Sequence, residues 1–228
     1  MKYLYQKFGK SGYGKTKSIE IANELLNNNC KELNSYKKIT PRVGGYFVPE
    51  HQDKIKKKIN EASINQAEKK KFREAVINNY ANYTIDYEIN IAPGEKQNID
   101  VLFIYDGTLF IGEGKGPKAS GDEPLLRAVL EIETYSRLIV SEQLFSDFLA
   151  NIPWVKKEVQ SNILKKSVIL FEKKDGKESP MFRQLYQDEY SPIHNLMRKL
   201  KVYAIKAESF CQQNGKVEFF KGFSPLDY

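Results

Sequence analysis

Three charged side chains near the middle of the chain, Asp100, Glu113 and Lys115, have the types and spacing needed for phosphate chemistry. They lie in the largely apolar stretch 99–115, which is divided by Asp106-Gly107. Asp-Gly between two hydrophobic runs predicts a β-hairpin with a two-residue loop. Counting outward from that loop puts Asp100 opposite Glu113, and Lys115 projects from the same face because it lies two residues further along its strand.

Two carboxylates that face each other across a hairpin repel, so this placement favours a compensating cation. Hard oxygen ligands suit Mg²⁺ or Mn²⁺, and such an ion polarises a phosphodiester and activates water. Lys115 would then position or deprotonate the water, or stabilise the charged phosphate. The alternative is an acid pair near a sheet edge, solvated and neutralised by Lys115.

The pattern around the hairpin predicts central strands. One face of the hairpin carries Val101, Phe103 and Phe110, and the other carries Leu102, Ile104, Leu109 and Ile111. Apolar residues on both faces indicate strands that are covered on both sides. The alternating stretch 83–91 predicts a preceding strand, a long helix is predicted from about Leu125, and the apolar run 167–171 predicts a further strand.

The rest of the chain predicts further helices and strands around this centre. Residues 1–30 read as a strand-like stretch, a glycine-rich loop and a helix, and 31–50 as an irregular linker. Helices are predicted over 51–62 and 66–80, around residues 181–186 and after Pro192, and strands over 202–207 and 217–220. We therefore divide the chain into an N-terminal glycine-loop, helix and linker segment, 1–50, and a main domain, 51–228.

The residues Asp100 and Glu113-Gly114-Lys115 resemble the motif of the PD-(D/E)XK nuclease superfamily. The order of the flanking elements over about residues 51–172 is similar to its αβββαβ core. The resemblance implies an α/β, restriction-endonuclease-like fold with a mixed central sheet flanked by helices. Ile99 stands where the proline of the motif would be, a departure that many relatives share.

This resemblance also implies roles for individual residues in a metal-dependent nuclease acting on DNA. Asp100 and Glu113 would bind Mg²⁺ or Mn²⁺, the Gly114 carbonyl would be a further ligand, and Lys115 would be the catalytic lysine. The superfamily often adds an acid from the helix before the sheet, which would be Glu74. Glu88 on the first strand is the alternative.

Some relatives, including RecB-like nucleases, carry Gln-x-x-x-Tyr on the helix that follows the motif. Here Glu131 and Tyr135 have that spacing, with glutamate in place of glutamine. A spacing of four places both side chains on one helix face, where they would support the site. An amphipathic helix with a tyrosine at the core boundary is the alternative.

Residues 9–16, GKSGYGKT, match the pattern of a phosphate-binding P-loop. In that case Gly14, Lys15 and Thr16 would contact a nucleotide and its Mg²⁺. The preceding stretch 2–8 is interrupted by polar residues, whereas the strand that feeds a P-loop is usually buried. A P-loop NTPase therefore remains an alternative, as does a basic loop that contacts DNA phosphates.

Composition limits the class of partner. The chain of 228 residues has a net charge of +7, which favours a nucleic acid or another polyanion, and we expect Lys118 to contact it.

No apolar run is long enough for a membrane span and no secretory signal is evident, so we expect a cytoplasmic protein without a membrane partner. A homodimer is also expected as an option, because sequence-specific cutters of this class commonly dimerise. A nuclease-like module that only binds nucleic acid is the remaining alternative.

Overall fold

The computed structural model describes nine stretches of the chain: 3–8, 14–36, 44–52, 84–91, 97–115, 124–171, 180–207, 217–219 and 221–225. Glu74, Lys118 and residues 9–13 of the glycine-rich loop lie outside the described residues. The same is true of most of the two helices predicted between residues 51 and 80.

The described strands form a six-stranded mixed open sheet in the order β1 to β6. Their bounds are β1 Thr84–Asn90, β2 Asn98–Tyr105, β3 Thr108–Lys115, β4 Leu164–Phe171, β5 Val202–Ala207 and β6 Val217–Phe219. Strands β1, β2 and β3 are antiparallel neighbours, β4 is parallel to β3, β5 is parallel to β4, and β6 is antiparallel to β5. The α/β class and the mixed sheet predicted from the sequence are therefore confirmed.

Helices flank this sheet. Their bounds are α1 Lys15–Asn27, α2 Lys31–Asn34, α3 Leu125–Leu138, α4 Ser141–Asn151, α5 Pro153–Glu158, α6 Pro180–Tyr186 and α7 Ser191–Leu200, with 3-10 helices at Leu4–Phe8 and Asp188–Tyr190. Helix α3 makes the crossover from β3 towards the parallel strand β4 and packs on both. Within the described residues, no helix is both long and apolar enough to cross a membrane.

The β2–β3 hairpin has the predicted two-residue loop. Asp106 and Gly107 have φ angles of 46° and 67°, a left-handed backbone that is typical of Asp-Gly in a tight hairpin turn. Tyr105 pairs with Thr108, and the ladder continues outward as far as Val101 and Gly112. The next step along that register brings Asp100 level with Glu113, as predicted.

The two faces of the hairpin also match the prediction. Leu102, Ile104, Leu109 and Ile111 join the main hydrophobic core beneath the helices. Val101, Phe103 and Phe110 form a second cluster on the other face with residues of β4 and β5. Because Asp100, Glu113 and Lys115 alternate with the second set, their strand positions lie on the α3 face of the sheet.

The N-terminal stretch differs from the prediction in its local structure. Residues Leu4–Phe8 form a 3-10 helix rather than a strand, and helix α2 lies where an irregular linker was predicted. Tyr3, Leu4 and Tyr5 are nevertheless buried in the main core. This burial explains the misleading pattern, because alternating tyrosines can be buried by a short 3-10 turn as well as by a strand.

Residues 49–52 are helical, in agreement with the start of the helix predicted from residue 51. Two side chains attach this turn to β1. The His51 Nδ1 atom lies 2.8 Å from the Asp86 Oδ1 atom, and the Gln52 amide donates to the Ile85 carbonyl at 2.7 Å. The chain that leads into β1 is therefore fastened to the first strand of the sheet.

Candidate active site

The structure brings Asp100, Glu113 and Lys115 together at the open end of the β2–β3 hairpin. The Asp100 Oδ2 atom accepts a hydrogen bond from the backbone N–H of Gly114 at 2.8 Å, which fixes this carboxylate against the neighbouring strand. The Lys115 ammonium donates to the Glu113 Oε1 atom at 2.7 Å. Glu113 is 5% exposed, so this ion pair lies at the edge of the core rather than in solvent.

Helix α3 adds the two side chains that the sequence placed on it. Lys115 Nζ also donates to the Glu131 Oε2 atom at 2.9 Å, and the Tyr135 hydroxyl donates to the Glu131 Oε1 atom at 3.0 Å. The spacing of four residues puts Glu131 and Tyr135 on the helix face that covers β3. Glu131 is thus held between a lysine from the sheet and a tyrosine from its own helix.

The electrostatics of the cluster are dominated by burial and by repulsion between acids. Burial, followed by the Asp100 and Glu131 charges, raises the pKa of Glu113 well above its usual value. Burial raises the pKa of Asp100 to about 6 against the opposing effect of Lys115. Burial acts in the same direction on Glu131, but Lys115 and Arg127 outweigh it and lower the Glu131 pKa.

Among the described residues, this cluster holds more acidic than basic side chains. Lys115 is bonded directly to Glu113 and Glu131, and Asp100 lies close enough to feel its charge. Lys115 satisfies Glu131 and part of Glu113, while Asp100 relies on a backbone N–H. A buried site with excess carboxylate is poised to take up protons or a cation.

Glu88, the alternative to Glu74, lies on β1 close to this cluster. Its neighbours Tyr87 and Ile89 pair with Val101 and Ile99 of β2, so Glu88 is level with Asp100. Its charge contributes to the raised Asp100 pKa. Glu88 has a φ angle of 47°, an uncommon backbone for a non-glycine residue and one that is enriched near functional sites.

The donor chemistry suits a hard divalent cation in kind. Asp100 and Glu113 offer carboxylate oxygens, and Mg²⁺ is usually bound by one or two carboxylates together with water and substrate phosphate. In the described part of the chain, no group of three or more His, Cys, Asp or Glu side chains is arranged to hold a metal ion. Asp100 and Glu113 are therefore the pair of carboxylates in this cluster that a metal with few protein ligands would use.

The P-loop-like residues lie elsewhere and have different surroundings. Gly14 caps helix α1, and Lys15 forms an ion pair with Glu189 and lies 5.7 Å from the centre of the Tyr190 ring. The preceding element is a 3-10 helix rather than the strand that a P-loop needs. Among the described residues, nothing gathers around Gly14, Lys15 and Thr16 in the manner of a nucleotide site.

Two features around the site were missed by the sequence reasoning. Glu133, on α3, is 1% exposed and is bonded to Lys166 of β4 and Arg137 of α3. Tyr5, from the N-terminal 3-10 helix, packs its ring edge-on against Tyr135, with the ring centroids 5.8 Å apart. No sequence motif indicates either feature. The one local indication is the i, i+4 spacing of Glu133 and Arg137, which predicts an ion pair on a helix.

In comparisons with known proteins, no family model, no curated protein and no solved structure matches the chain.

Proposed function

We propose that this protein is a metal-dependent nuclease with a restriction-endonuclease-like fold, which hydrolyses phosphodiester bonds of DNA. One observation carries the proposal: Asp100, Glu113 and Lys115 converge on one face of adjacent antiparallel strands, beneath a helix that adds Glu131. The excess of carboxylate over cation at this place suits a divalent metal followed by a phosphate.

The strand topology supports the fold part of the proposal. An antiparallel β1–β2–β3 meander, a crossover through α3 and a strand parallel to β3 follow the order of the βββαβ portion of the expected core. The helix expected before β1 falls between residues 53 and 83, outside the described residues.

Each side chain of the cluster has a separate role in the proposed reaction. Asp100 and Glu113 would hold Mg²⁺ or Mn²⁺, which when bound supplies polarisation of the phosphodiester and a more acidic water. Lys115 places a positive charge beside the carboxylates, where it can donate to a phosphate oxygen as negative charge develops. Glu131 restrains the Lys115 ammonium, and Tyr135 restrains Glu131.

A nucleic acid is the substrate class that best fits the charge of the chain. Lys and Arg number 36 against 29 Asp and Glu, so the protein as a whole attracts a polyanion even though its proposed centre is acidic. Binding should therefore weaken as salt rises, because each phosphate contact releases counterions.

The direct test is cleavage of supercoiled plasmid and linear duplex DNA in the presence of Mg²⁺ or Mn²⁺. We expect cutting that is lost with EDTA and in Asp100→Asn and Glu113→Gln, whereas Glu158→Gln, an exposed acid on α5, should retain it. Unchanged cutting in both site variants would disprove the assignment. Wild-type protein that binds DNA without cutting it would favour the alternative of a catalytically inactive binding module.

Metal binding can be tested independently of activity. Mg²⁺ at about a hundred times its dissociation constant should raise the free energy of unfolding by about 2.7 kcal/mol. The effect should be absent in Asp100→Asn combined with Glu113→Gln and present in Glu158→Gln. Equal stabilisation of all three proteins would place the ion elsewhere.

A nucleotide-binding assay covers the P-loop alternative. ATP binding by the wild type that is lost in Lys15→Ala would support it, and absence of binding by the wild type would end it. The ion pair between Lys15 and Glu189 is the contact that a nucleotide would first have to break.

A further inference from the structure

The N-terminal 3-10 helix inserts a tyrosine beneath helix α3, next to the proposed active site. Tyr5 is 4% exposed and its ring meets that of Tyr135 at 81°, in an edge-to-face contact. Tyr5 also stacks on Tyr3, at a centroid distance of 6.0 Å. The ring of Tyr5 is therefore held by two aromatic contacts.

The hydrogen bonding of the Tyr5 hydroxyl is unusual for a buried polar group. It is buried, and among the described residues it makes no hydrogen bond of ordinary distance and angle. Buried polar groups are almost always satisfied, so an unsatisfied hydroxyl calls for an explanation. Burial raises the Tyr5 pKa to about 12, and hydrogen-bonding interaction with Tyr135 is the largest influence that opposes this rise. Together with the ring contact, this places the Tyr5 hydroxyl near Tyr135.

The Tyr135 oxygen can accept a hydrogen bond from the Tyr5 hydroxyl. A phenol has one O–H to donate and lone pairs that accept. Tyr135 uses its own O–H on the Glu131 Oε1 atom, which leaves its oxygen as an acceptor. A donor to that oxygen strengthens the bond that Tyr135 makes to Glu131, because hydrogen bonds in a chain polarise one another.

We propose that Tyr5 is a positioning residue of the active site: its hydroxyl supports Tyr135, and through Tyr135 and Glu131 it holds the Lys115 ammonium. The chain of groups runs from the N-terminal 3-10 helix, through α3, to the end of β3. The N-terminal segment is thereby coupled to the site through Tyr5. The catalytic part of this inference rests on the proposed nuclease function.

The test removes the hydroxyl and keeps the ring. In Tyr5→Phe we expect kcat for DNA cleavage to fall about five-fold with KM unchanged, because a network bond is worth a modest factor. Tyr135→Phe should fall further, and the double variant should be no worse than Tyr135→Phe alone, because Tyr5 acts through Tyr135. A matched control is Tyr203→Phe, which alters an equally buried tyrosine in the hydrophobic cluster on the opposite face of the sheet.

A second readout does not depend on cleavage. Labelling of Lys115 by an amine reagent, followed by mass spectrometry of folded protein, should speed up several-fold in Tyr5→Phe and stay unchanged in Tyr203→Phe. Unchanged labelling together with unchanged kcat would overturn the role of Tyr5. Faster labelling in a protein that cuts no DNA would support the role of Tyr5 while the nuclease proposal failed.

Discussion

Helix α3 carries two buried glutamates, Glu131 and Glu133, and they sit in opposite electrostatic surroundings. Each is bonded to a lysine from the sheet beneath it, Lys115 for Glu131 and Lys166 for Glu133. Glu133 also has Arg137, so two cations surround one acid. Around Glu131 the balance is reversed, because Glu113 shares the same lysine and Asp100 lies on the next strand.

The difference separates a cluster whose charges are balanced from one that contains excess acid. Glu133 is fully satisfied by side chains of the protein, which suits a structural tie between α3 and β4. The Glu131 cluster retains uncompensated carboxylate, which costs stability unless protons or a cation are bound. Proteins tolerate such an imbalance chiefly where it serves chemistry.

The largest expected difference is in the cleavage rates of variants at the two lysines, Lys115 and Lys166. Lys115→Ala should lower the cleavage rate by about a hundred-fold or more, as expected when a group that stabilises developing charge is removed. Lys166→Ala should leave cleavage within about two-fold at a temperature where the protein is folded. Plasmid cleavage with both variants, at matched circular dichroism, measures the contrast. An equal loss of cleavage in both variants would contradict the difference proposed between the two lysines.

The next effect concerns Glu133 itself. Glu133→Gln leaves Lys166 and Arg137 without their acid, and breaking a buried ion pair costs about 3 kcal/mol. The cost should lie at the lower end of the usual range, since the side chains of these cations are 19% and 27% exposed. Urea unfolding measures it, with exposed Glu158→Gln as the control. A neutral result would mean that Glu133 is not the structural anchor of α3.

A third effect is the pH dependence of stability without metal. Asp100 has a folded pKa of about 6 against an ordinary 3.8, so the folded state binds its proton more tightly than the unfolded chain does. This contribution is fully present below about pH 4 and is lost as pH rises through 6, on the order of 3 kcal/mol in total. The raised pKa of Glu113 acts in the same direction.

Urea unfolding in EDTA at pH 5 and pH 7 measures this change. Asp100→Asn combined with Glu113→Gln should flatten it, whereas Glu158→Gln should not. An identical slope in the double variant would show that these carboxylates do not titrate differently in the folded and unfolded states.

The smallest effect separates the two cations that hold Glu133. Arg137→Ala should cost about 1 kcal/mol, because Lys166 still compensates the buried acid and the arginine is partly exposed. Arg137 also donates to the Asn34 side chain at 3.0 Å, so part of the loss is its tie to α2. Comparison of Arg137→Ala with Asn34→Ala by thermal unfolding divides the two contributions.

Much of the sheet and part of the site could be predicted because their signals are local. Asp106-Gly107 determines its turn, the turn determines the register, and the register brings Asp100 level with Glu113. The alternation of β2 and β3 likewise assigns the two faces correctly. The local pattern was misleading at Leu4–Phe8. This stretch reads as strand-like, but it forms a 3-10 helix that packs against α3.

Local sequence specifies which groups the hairpin carries and the face from which they project, because a two-residue turn and a period of two leave one register. It also placed Glu131 and Tyr135 on one face of a helix. Long-range packing is what brings this helix face over Lys115, Glu133 onto Lys166, and Tyr5 against Tyr135. These contacts join residues far apart in the chain, and they depend on how helices pack on a sheet, which no local pattern specifies.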